Sequence, residues 1–337
     1  MLIELDIDAF DEQKASFDLL IDARSPHEFS LSHIPKAQNF YALSDAEHEE
    51  VGTIYKQISR NDAKALGASY ICNNVALHIK EIYKHYKIGA KIGIYCAKGG
   101  LRSSSIAMIL SSIGYQVWRL KGGYKSYRNS VISYLDALPH QKFIVLGGNT
   151  GCGKSELLQD LPNAIDLEYM ANHLGSTFGS IKGEQPSQKM FQNRLFEAFR
   201  SIDPLTYVFI EGESKRMGKV MLPSNLHDTM KEGFRIEITA PLSQRVERIL
   251  KDYYAIDDAF FYASMETITP YIKKLSKEEA IKAYEKRDLK TVAQILLVDY
   301  YDLVYKKPHH VDSVIENVQH EKTINTLKSL HVKISSQ

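Results

Sequence analysis

The chain has 337 residues, and its 42 Lys and Arg residues against 41 Asp and Glu residues leave a net charge of +1. Hydrophobic residues make up 44% and charged residues 25%, proportions that exclude a disordered or fibrous protein. At roughly 100–200 residues per domain, the length predicts two domains, or at most three. Because the net charge is close to zero, a polyanionic partner would have to be bound by local basic patches.

Membrane-spanning and secretory segments are not expected. The longest apolar runs, such as residues 143–146, are far shorter than the roughly 20 residues that a membrane helix needs. Acidic residues stand near the N-terminus, where a signal peptide would be basic. Three cysteines argue against a disulfide framework and for a reducing compartment. We therefore expect a cytoplasmic protein that does not associate with membranes.

The first 138 residues alternate short apolar runs with helical patterns. Residues 18–22, 91–95 and 116–120 are predicted strands, and residues 103–113 carry apolar side chains at helical spacing before Gly114. This alternation predicts a parallel sheet covered by helices. The polar, proline-containing stretch around residues 138–142 marks the boundary to a second domain, which we place at residues 139–337.

A cysteine loop provides the first chemical signal. Cys96 follows a predicted strand and precedes a predicted helix, so the loop's N–H groups and the helix N-terminus favour the nucleophilic thiolate. The further loop residues that we expect to bind an oxyanion or to close the loop are Lys98, Gly99, Gly100 and Arg102. The competing interpretation is a buried structural cysteine. Cys72 has apolar neighbours but no such loop, and we interpret it as a packing residue.

Two segments before the cysteine loop resemble the opening signature of rhodanese domains. They read Asp-Ala-Arg-Ser-Pro-His-Glu-Phe at residues 22–29 and Ser-His-Ile-Pro-Lys-Ala at residues 32–37. The resemblance implies a rhodanese-like fold in which Cys96 would carry a persulfide-type sulfur. The spacing from Cys96 to Arg102 also fits the cysteine-phosphatase pattern, so the loop by itself does not separate the two activities.

A phosphate loop opens the second domain. The sequence from Gly148 to Ser155 matches G-x-x-x-x-G-K-[ST], with a predicted strand before it and a predicted helix after it. The residues predicted to bind phosphate are Gly148, Asn149, Thr150, Gly151, Gly153, Lys154 and Ser155. Cys152 is expected to point away from the phosphates. Ser155 would bind Mg²⁺ if a metal is used.

Residues 207–210 and 235–238 are further predicted strands, and the chain after residue 241 is predicted to be mostly helical. Glu211, at the end of the first of these strands, is a candidate Walker-B-like carboxylate. The basic residues that follow this strand are candidate substrate contacts, because sites gather at strand ends in α/β sheets; they are Lys215, Arg216 and Lys219. The tail after about residue 317 is either a third small piece or the last helix of the second domain.

A rhodanese signature followed by a phosphate loop resembles the tRNA 2-selenouridine synthase family. Further family landmarks occur here at residues 50–56, 174–179, 185–188 and 211–218. The fold class is thus an α/β rhodanese-like parallel-sheet domain followed by a P-loop NTPase-like α/β domain with a helical C-terminal region. The resemblance implies that wobble 2-thiouridine in tRNA is first alkylated by geranyl diphosphate and then selenated by selenophosphate, with no tightly bound cofactor.

In this interpretation Lys154 would neutralise the leaving diphosphate, and Cys96 would carry selenium or position its donor. The candidate substrate or tRNA contacts are Glu211, Lys215, Arg216 and Lys219. The alternative is a sulfurtransferase or cysteine phosphatase fused to a domain that hydrolyses ATP or GTP. A regulatory nucleotide-binding module with an inert rhodanese part is less favoured, because an inert rhodanese usually lacks the cysteine.

Overall fold

The computed structural model describes residues 1–138, 141–175, 178–179, 183–253, 256–305 and 310–335. They belong to two compact units, Met1–Tyr134 with Gln192–Glu197 and Leu135–Phe191 with Ala198–Gln337. Residues 139 and 140 of the predicted boundary, and residues 176 and 177 of the predicted landmark, lie outside the described residues. Within the described ranges, no helix is both long and apolar enough to span a bilayer.

The N-terminal part of the chain builds a parallel five-stranded sheet with the order β1-β5-β4-β2-β3. Its elements are β1 (Leu2–Leu5), α1 (Ile7–Lys14), β2 (Leu19–Asp22), α2 (Pro26–Leu31), β3 (Gln38–Asn39), α3 (Asp45–Gln57), α4 (Arg60–His85), β4 (Lys91–Tyr95), α5 (Leu101–Ser112), β5 (Gln116–Leu120) and α6 (Gly123–Ala137). The three predicted strands are therefore confirmed.

The local sequence explains these elements. Strand β2 is buried along its whole length, as expected for a parallel strand covered on both faces. Ser25 and Ser44 begin helices α2 and α3 with reciprocal capping boxes. Helix α5 begins at Leu101, two residues before the predicted start. Gly114, with a φ of +105°, follows its C-terminal end as predicted.

The second part builds another parallel five-stranded sheet, with the order β12-β11-β6-β8-β7, and a separate antiparallel pair β9-β10. Its elements are β6 (Lys142–Gly147), α7 (Lys154–Asp160), β7 (Ala164–Ile165), α8 (Leu167–Ala171), α9 (Gln188–Arg200), β8 (Tyr207–Glu211), β9 (Arg216–Met217), β10 (Val220–Met221), α10 (Ser224–Lys231), β11 (Phe234–Thr239), α11 (Leu242–Tyr253), α12 (Asp258–Ile268), α13 (Lys274–Glu285), α14 (Leu289–Leu296), α15 (Asp302–Val304), β12 (Ser313–Glu316) and α16 (His320–Ser335). A 3₁₀ turn spans Thr269–Tyr271, and a π-helical turn spans Leu297–Tyr301.

The predicted helical C-terminal region is confirmed. It also contains one strand, β12, that was not predicted from the sequence. Strand β12 pairs in parallel with β11 at the edge of the second sheet. It has four residues with alternating burial, and Val314 is exposed. So short an edge strand leaves too weak a periodic pattern to be recognised beside long helices.

The interpretation of Cys72 as a packing residue is wrong, because its side chain is exposed. Helix α4 turns Ile71, Asn74 and Val75 inward, and position 72 lies on the opposite face. Apolar neighbours in sequence do not imply burial on a helix, where adjacent residues face different directions.

The C-terminal helix α16 belongs to the core of the second unit. Ile324, Leu327 and Ile334 pack with Leu157, from helix α7, in one buried apolar cluster that also contains residues of β6, β8 and β11. The tail after residue 317 is therefore the last helix of this unit.

We expect Leu327→Ala to lower the free energy of unfolding by about 2–5 kcal/mol, because it removes a fully buried side chain and leaves a cavity. Urea denaturation followed by circular dichroism measures this change. Val332→Ala, an exposed position on the same helix, is the matched control and should change stability by less than about 0.5 kcal/mol. Equal effects of the two substitutions would contradict a core role for α16.

Candidate functional site

The phosphate loop lies between strand β6 and helix α7, where the sequence predicts it. Because α7 begins at Lys154, the last N–H groups of the loop lie at a helix N-terminus, whose partial positive charge favours anions. Gly148 has a φ of +140°, and a Cβ atom there would overlap the carbonyl oxygen of Ile238 on β11. The first glycine of the motif is thus required by the close approach of two strands.

Lys154 lies across the loop and donates a hydrogen bond to the Gly148 carbonyl oxygen at 2.9 Å. Burial works against the charge of its ammonium group. The acidic side chains around it, Cys152, Glu168 and Glu213 first among them, outweigh this effect, and the pKa of Lys154 is raised above its ordinary value. Lys154 is therefore a permanent cation, as the binding of phosphate oxygens requires.

The Ser155 hydroxyl lies between two carboxyl groups. Its Oγ atom is 3.0 Å from Glu211 Oε1 and 3.1 Å from Glu168 Oε2. A hydroxyl carries a single proton, so both contacts are hydrogen bonds only when one of the carboxyl groups is itself protonated. Glu211 Oε2 also accepts a hydrogen bond from the Glu168 backbone N–H at 3.0 Å.

The pKa values of these carboxyl groups are raised, which agrees with a protonated carboxyl group beside Ser155. Burial, followed by the charge of Glu168, raises the pKa of Glu211 well above its ordinary value. Burial and the charge of Glu213 raise the pKa of Glu168 to about 8. Burial and the charge of Glu211 raise the pKa of Glu213 to about 7. The three groups lie too close together to be ionised at once, so the cluster holds protons near neutral pH.

A cavity of about 690 Å³ opens over the phosphate loop. Several parts of the chain line it besides the loop: helix α7, helix α8 with the segment after it, the segment after β8, helix α11, and residues 300–305 around α15. The lining residues outside the loop are Glu156, Gln159, Glu168, Leu174, Gly175, Gly212, Glu213, Ser214, Arg248, Ile249, Tyr300, Tyr301, Val304 and Tyr305. The cavity is large enough for a diphosphate compound and carries polar and aromatic groups on its walls.

The sequence analysis missed the side chains that fasten the phosphate loop from outside. Arg245 on α11 donates a hydrogen bond from Nε to the Thr150 carbonyl oxygen at 2.9 Å. Its two terminal nitrogens also donate to the Asp302 carboxylate, at 2.9 and 2.6 Å. Asp302 in turn accepts a hydrogen bond from Asn149 Nδ2 at 2.8 Å. One ion pair thus holds the outer half of the loop.

Three more contacts hold the rest of the loop. Arg248 donates to the Gly151 carbonyl oxygen at 3.2 Å, and Asn317 Nδ2 donates to the Cys152 carbonyl oxygen at 2.9 Å. The Tyr305 hydroxyl accepts a hydrogen bond from the Gly148 N–H group at 2.9 Å. The arginine pair at i and i+3 after strand β11 was the only signal in the sequence, because Asn317 and Tyr305 lie far along the chain and belong to no motif.

The expected Mg²⁺ ligand Ser155 lies beside carboxyl oxygens, which suit a hard cation. Among the residues that the structure describes, however, no group of three or more His, Cys, Asp or Glu side chains is arranged to hold a metal ion. A magnesium ion at Ser155 would therefore depend on oxygen atoms from phosphate and water.

The cysteine loop connects strand β4 to helix α5, as predicted. The Cys96 side chain is buried, and its Sγ atom accepts a hydrogen bond from the Ser103 hydroxyl at 3.2 Å. The Tyr124 N–H donates to the Cys96 carbonyl oxygen at 2.8 Å. Gly123 has a φ of +61°, and a Cβ atom there would overlap that same carbonyl oxygen. Glycine is required at this position because the start of α6 packs directly against the loop.

Arg102 and Arg119 contact the cysteine loop in different ways. Arg102 donates from Nη1 to Glu28 Oε2 at 2.5 Å, and Arg119 donates from Nη1 to the Gly99 carbonyl oxygen at 2.5 Å. Burial raises the pKa of Glu28. The hydrogen bond and charge of Arg102, the Ser25 N–H group and the charge of His48 together outweigh burial, and the pKa is lowered. To hold an oxyanion, as the sequence suggests, the Arg102 guanidinium would have to leave Glu28.

The predicted basic contacts lie outside the phosphate cavity. Gly212–Ser214 line the described cavity, whereas Lys215, Arg216 and Lys219 do not. Lys215 Nζ donates to Ser224 Oγ at 2.9 Å, and all three basic side chains are exposed. Lys98, in the cysteine loop, is also exposed. The role of Lys215, Arg216 and Lys219 as tRNA contacts stays a prediction, and so does the role of Lys98 in the cysteine loop.

Both parts of the chain match known protein families. The rhodanese-like domain family matches residues 7–130, and the tRNA 2-selenouridine synthase AAA domain family matches residues 141–287. A tRNA 2-selenouridine synthase from Psychromonas ingrahamii is 33% identical over 79% of this chain and 71% of its own length. Another from Hydrogenovibrio crunogenus is 33% identical over 85% of this chain and 88% of its own length. A third, from Pseudomonas syringae pv. tomato, is 37% identical over 69% of this chain and 65% of its own length.

The carboxyl cluster makes stability fall as pH rises. Glu168 and Glu213 have folded-state pKa values of about 8 and about 7, above the ordinary value of 4.5, so the folded chain binds more protons than the unfolded chain between pH 4.5 and 8. This contribution to stability is present below pH 4.5 and is lost as pH rises to about 8. We expect Glu213→Gln to flatten the dependence of the urea midpoint on pH between 4.5 and 8, because it removes one of these proton-binding carboxyl groups.

The matched control is Glu232→Gln, an exposed position in the same unit, which should leave that pH dependence unchanged. A steeper fall of stability with pH in Glu213→Gln than in the unmodified protein would contradict the proton-holding cluster.

Proposed function

The chain belongs to the tRNA 2-selenouridine synthase family, and on that premise we propose that it converts wobble 2-thiouridine to 2-selenouridine by way of an S-geranyl intermediate. It is a tRNA-modifying transferase, as its relatives' name states. The proposed substrates are tRNA, geranyl diphosphate and selenophosphate. A tRNA substrate also makes the cytoplasm the proposed location.

The observation that carries this proposal is an anion-binding site formed by Lys154 and the N–H groups of the phosphate loop, which we call the anion cradle. It opens into a cavity of about 690 Å³. The cradle is built for a diphosphate group, since it combines a permanent cation with N–H groups at a helix N-terminus. Its loop is held by Arg245, Asn317 and Tyr305, so the donors are in place before the ligand arrives. Such preorganised donors stabilise charge that develops in a transition state.

In the proposed first step the thiouridine sulfur attacks C1 of the geranyl group. The S–C1 bond forms as the C1–O bond breaks, and diphosphate leaves with the electron pair. Negative charge grows on the diphosphate oxygens, which Lys154 would neutralise. If the reaction uses Mg²⁺, Ser155 would hold it together with oxygen atoms of phosphate and water, and the metal would supply further neutralisation.

Alkylation at sulfur also releases the proton on N3 of the thiouracil ring. Glu213 lines the cavity and has a pKa of about 7, so near neutral pH a large fraction is ionised and able to accept this proton. We therefore assign Glu213 the role of proton acceptor in the proposed first step.

In the proposed second step the selenium of selenophosphate attacks C2 of the base and the C2–S bond breaks, so that geranylthiol leaves. Water then cleaves the Se–P bond and phosphate is released. We assign the positioning of selenophosphate to the Cys96 loop. This loop presents a buried sulfur, held by Ser103, at the carboxyl end of a parallel strand, where ligands of α/β sheets bind. The target base must be unstacked from the anticodon to react.

We expect Lys154→Ala to lower the rate of geranyl transfer by roughly a hundredfold or more, because a cation that meets developing charge is lost. Selenation of thiouridine tRNA should fail with it and return when pre-geranylated tRNA is supplied. Mass spectrometry of nucleosides from the treated tRNA measures both products.

Lys328→Ala, an exposed position on α16, is the control for the loss of a lysine and should leave both reactions unchanged. If Lys154→Ala loses ATP or GTP hydrolysis but keeps geranyl transfer, the loop binds a nucleotide and our assignment of the donor site is wrong.

We expect Cys96→Ala to abolish selenium incorporation and to leave geranylation largely intact, so that geranylthiouridine accumulates. The reason is that the Cys96 loop handles the selenium donor while the phosphate loop handles the prenyl donor. Cys72→Ala is the matched control, because Cys72 is an exposed cysteine of the same domain. Unchanged selenouridine with Cys96→Ala would remove Cys96 from the selenium step.

A further inference from the structure

We propose that an apolar cavity in the helical C-terminal region binds the hydrocarbon chain of an isoprenoid diphosphate whose head group occupies the phosphate loop. This inference rests on the proposed function and adds the binding site for the chain. Ten of the twelve lining residues have purely hydrocarbon side chains: Phe178, Ile249, Leu250, Ile256, Phe261, Leu289, Val292, Ala293, Leu296 and Leu297. The other two are Tyr284 and Tyr301.

The apolar cavity and the phosphate cavity are neighbours that share a wall. Ile249 on α11 and Tyr301 line both cavities, and Tyr300, which precedes Tyr301, lines the phosphate cavity. A ligand with its head at the phosphate loop would therefore reach the apolar cavity when this shared wall moves. An anion cradle beside a largely apolar pocket matches an amphiphile with a phosphorylated head and a hydrocarbon tail.

The chemistry of this pocket disfavours a nucleotide. A nucleobase needs hydrogen-bond donors and acceptors, and removing its polar edge from water without them costs free energy. The Tyr284 hydroxyl is already used, since it donates to Asp258 Oδ1 at 2.8 Å. The ring of Tyr284 stacks on Phe261 with centroids 3.7 Å apart, so this wall presents aromatic carbon. An isoprenoid chain, which has no polar atoms, fits such a lining.

The cavity measures about 50 Å³ in this structure, whereas an engineered protein cavity that binds benzene measures roughly 150 Å³. A ten-carbon chain therefore has to widen it. The wall between the two cavities is suited to this change, because Leu297–Tyr301 form a π-helical turn that interrupts the helix between α14 and α15. Such turns are irregular insertions that often occur at functional sites. We place the movement that admits the chain in this turn.

The test measures binding of geranyl diphosphate and of inorganic diphosphate to the full chain by calorimetry, without tRNA. A buried methylene contributes about fourfold in affinity, so the unmodified protein should prefer geranyl diphosphate by roughly a hundredfold or more, even after widening. Ala293→Leu fills the cavity and should reduce this preference at least tenfold while leaving diphosphate affinity unchanged. Leu296→Ala enlarges the cavity and should shift the preference towards farnesyl diphosphate, which is five carbons longer.

Ala280→Leu is the matched control, because Ala280 is buried in the same helical core but does not line the cavity. The Ala280→Leu variant should prefer geranyl diphosphate to the same extent as the unmodified protein. Circular dichroism checks that each variant is folded. If Ala293→Leu fails to fold, Leu296→Ala still tests the pocket through chain-length preference. A preference unchanged by both substitutions overturns the pocket and leaves the proposed function standing.

The outcomes also separate the pocket from the proposed reaction. If Ala293→Leu abolishes the preference but the unmodified protein transfers no geranyl group to tRNA, the apolar site stands and the proposed function is wrong. If the unmodified protein binds geranyl diphosphate no more tightly than inorganic diphosphate, the pocket proposal is overturned.

Discussion

The charge of Lys154 is the constraint on which the second unit of the chain depends. A partly buried ammonium group must be matched by nearby acceptors, and here the Gly148 carbonyl oxygen and a group of glutamates supply them. The glutamates in turn crowd one another, so their pKa values rise and the cluster holds protons. Lys154 itself lowers the pKa of each glutamate, but burial and the repulsion between the carboxyl groups outweigh its charge.

The phosphate loop keeps its shape because distant parts of the chain hold its carbonyl and N–H groups. Arg245 and Asp302 hold one half, and Asn317 holds the carbonyl of Cys152. The contacts come from helix α11, from the first residue of helix α15 and from the residue that follows strand β12. The helical region therefore has two roles in the second unit: it fastens the loop, and it encloses the apolar cavity beside it.

The cysteine loop of the first unit follows the same physical plan. A buried parallel strand ends, the chain curls, and a helix begins, so N–H groups gather at one end of the sheet. The contacts that hold this loop differ from those that hold the phosphate loop. Here the close approach of Gly123 and hydrogen bonds from Tyr124 and Arg119 hold the loop, and Arg102 is paired with Glu28. The rhodanese-like loop and the phosphate loop thus share a strand–loop–helix arrangement that is held by different contacts.

The sequence by itself determined the features that are encoded over short stretches. The positions of Cys96, Gly148 and Lys154, the strands that precede them and the helices that follow were predictable, because strand–loop–helix units and motif spacing are local. Tertiary structure alone decided which remote side chains complete the sites. Glu168, Asp302 and Asn317 belong to no motif. Glu168 and Asn317 meet the phosphate loop because the parallel sheet brings separate strand ends to one edge, and Asp302 meets it because the helical region packs beside the loop. The same holds for the exposure of Cys72, the edge strand β12 and the apolar cavity, which depend on how faces of separate helices and strands pack and not on any single stretch of residues.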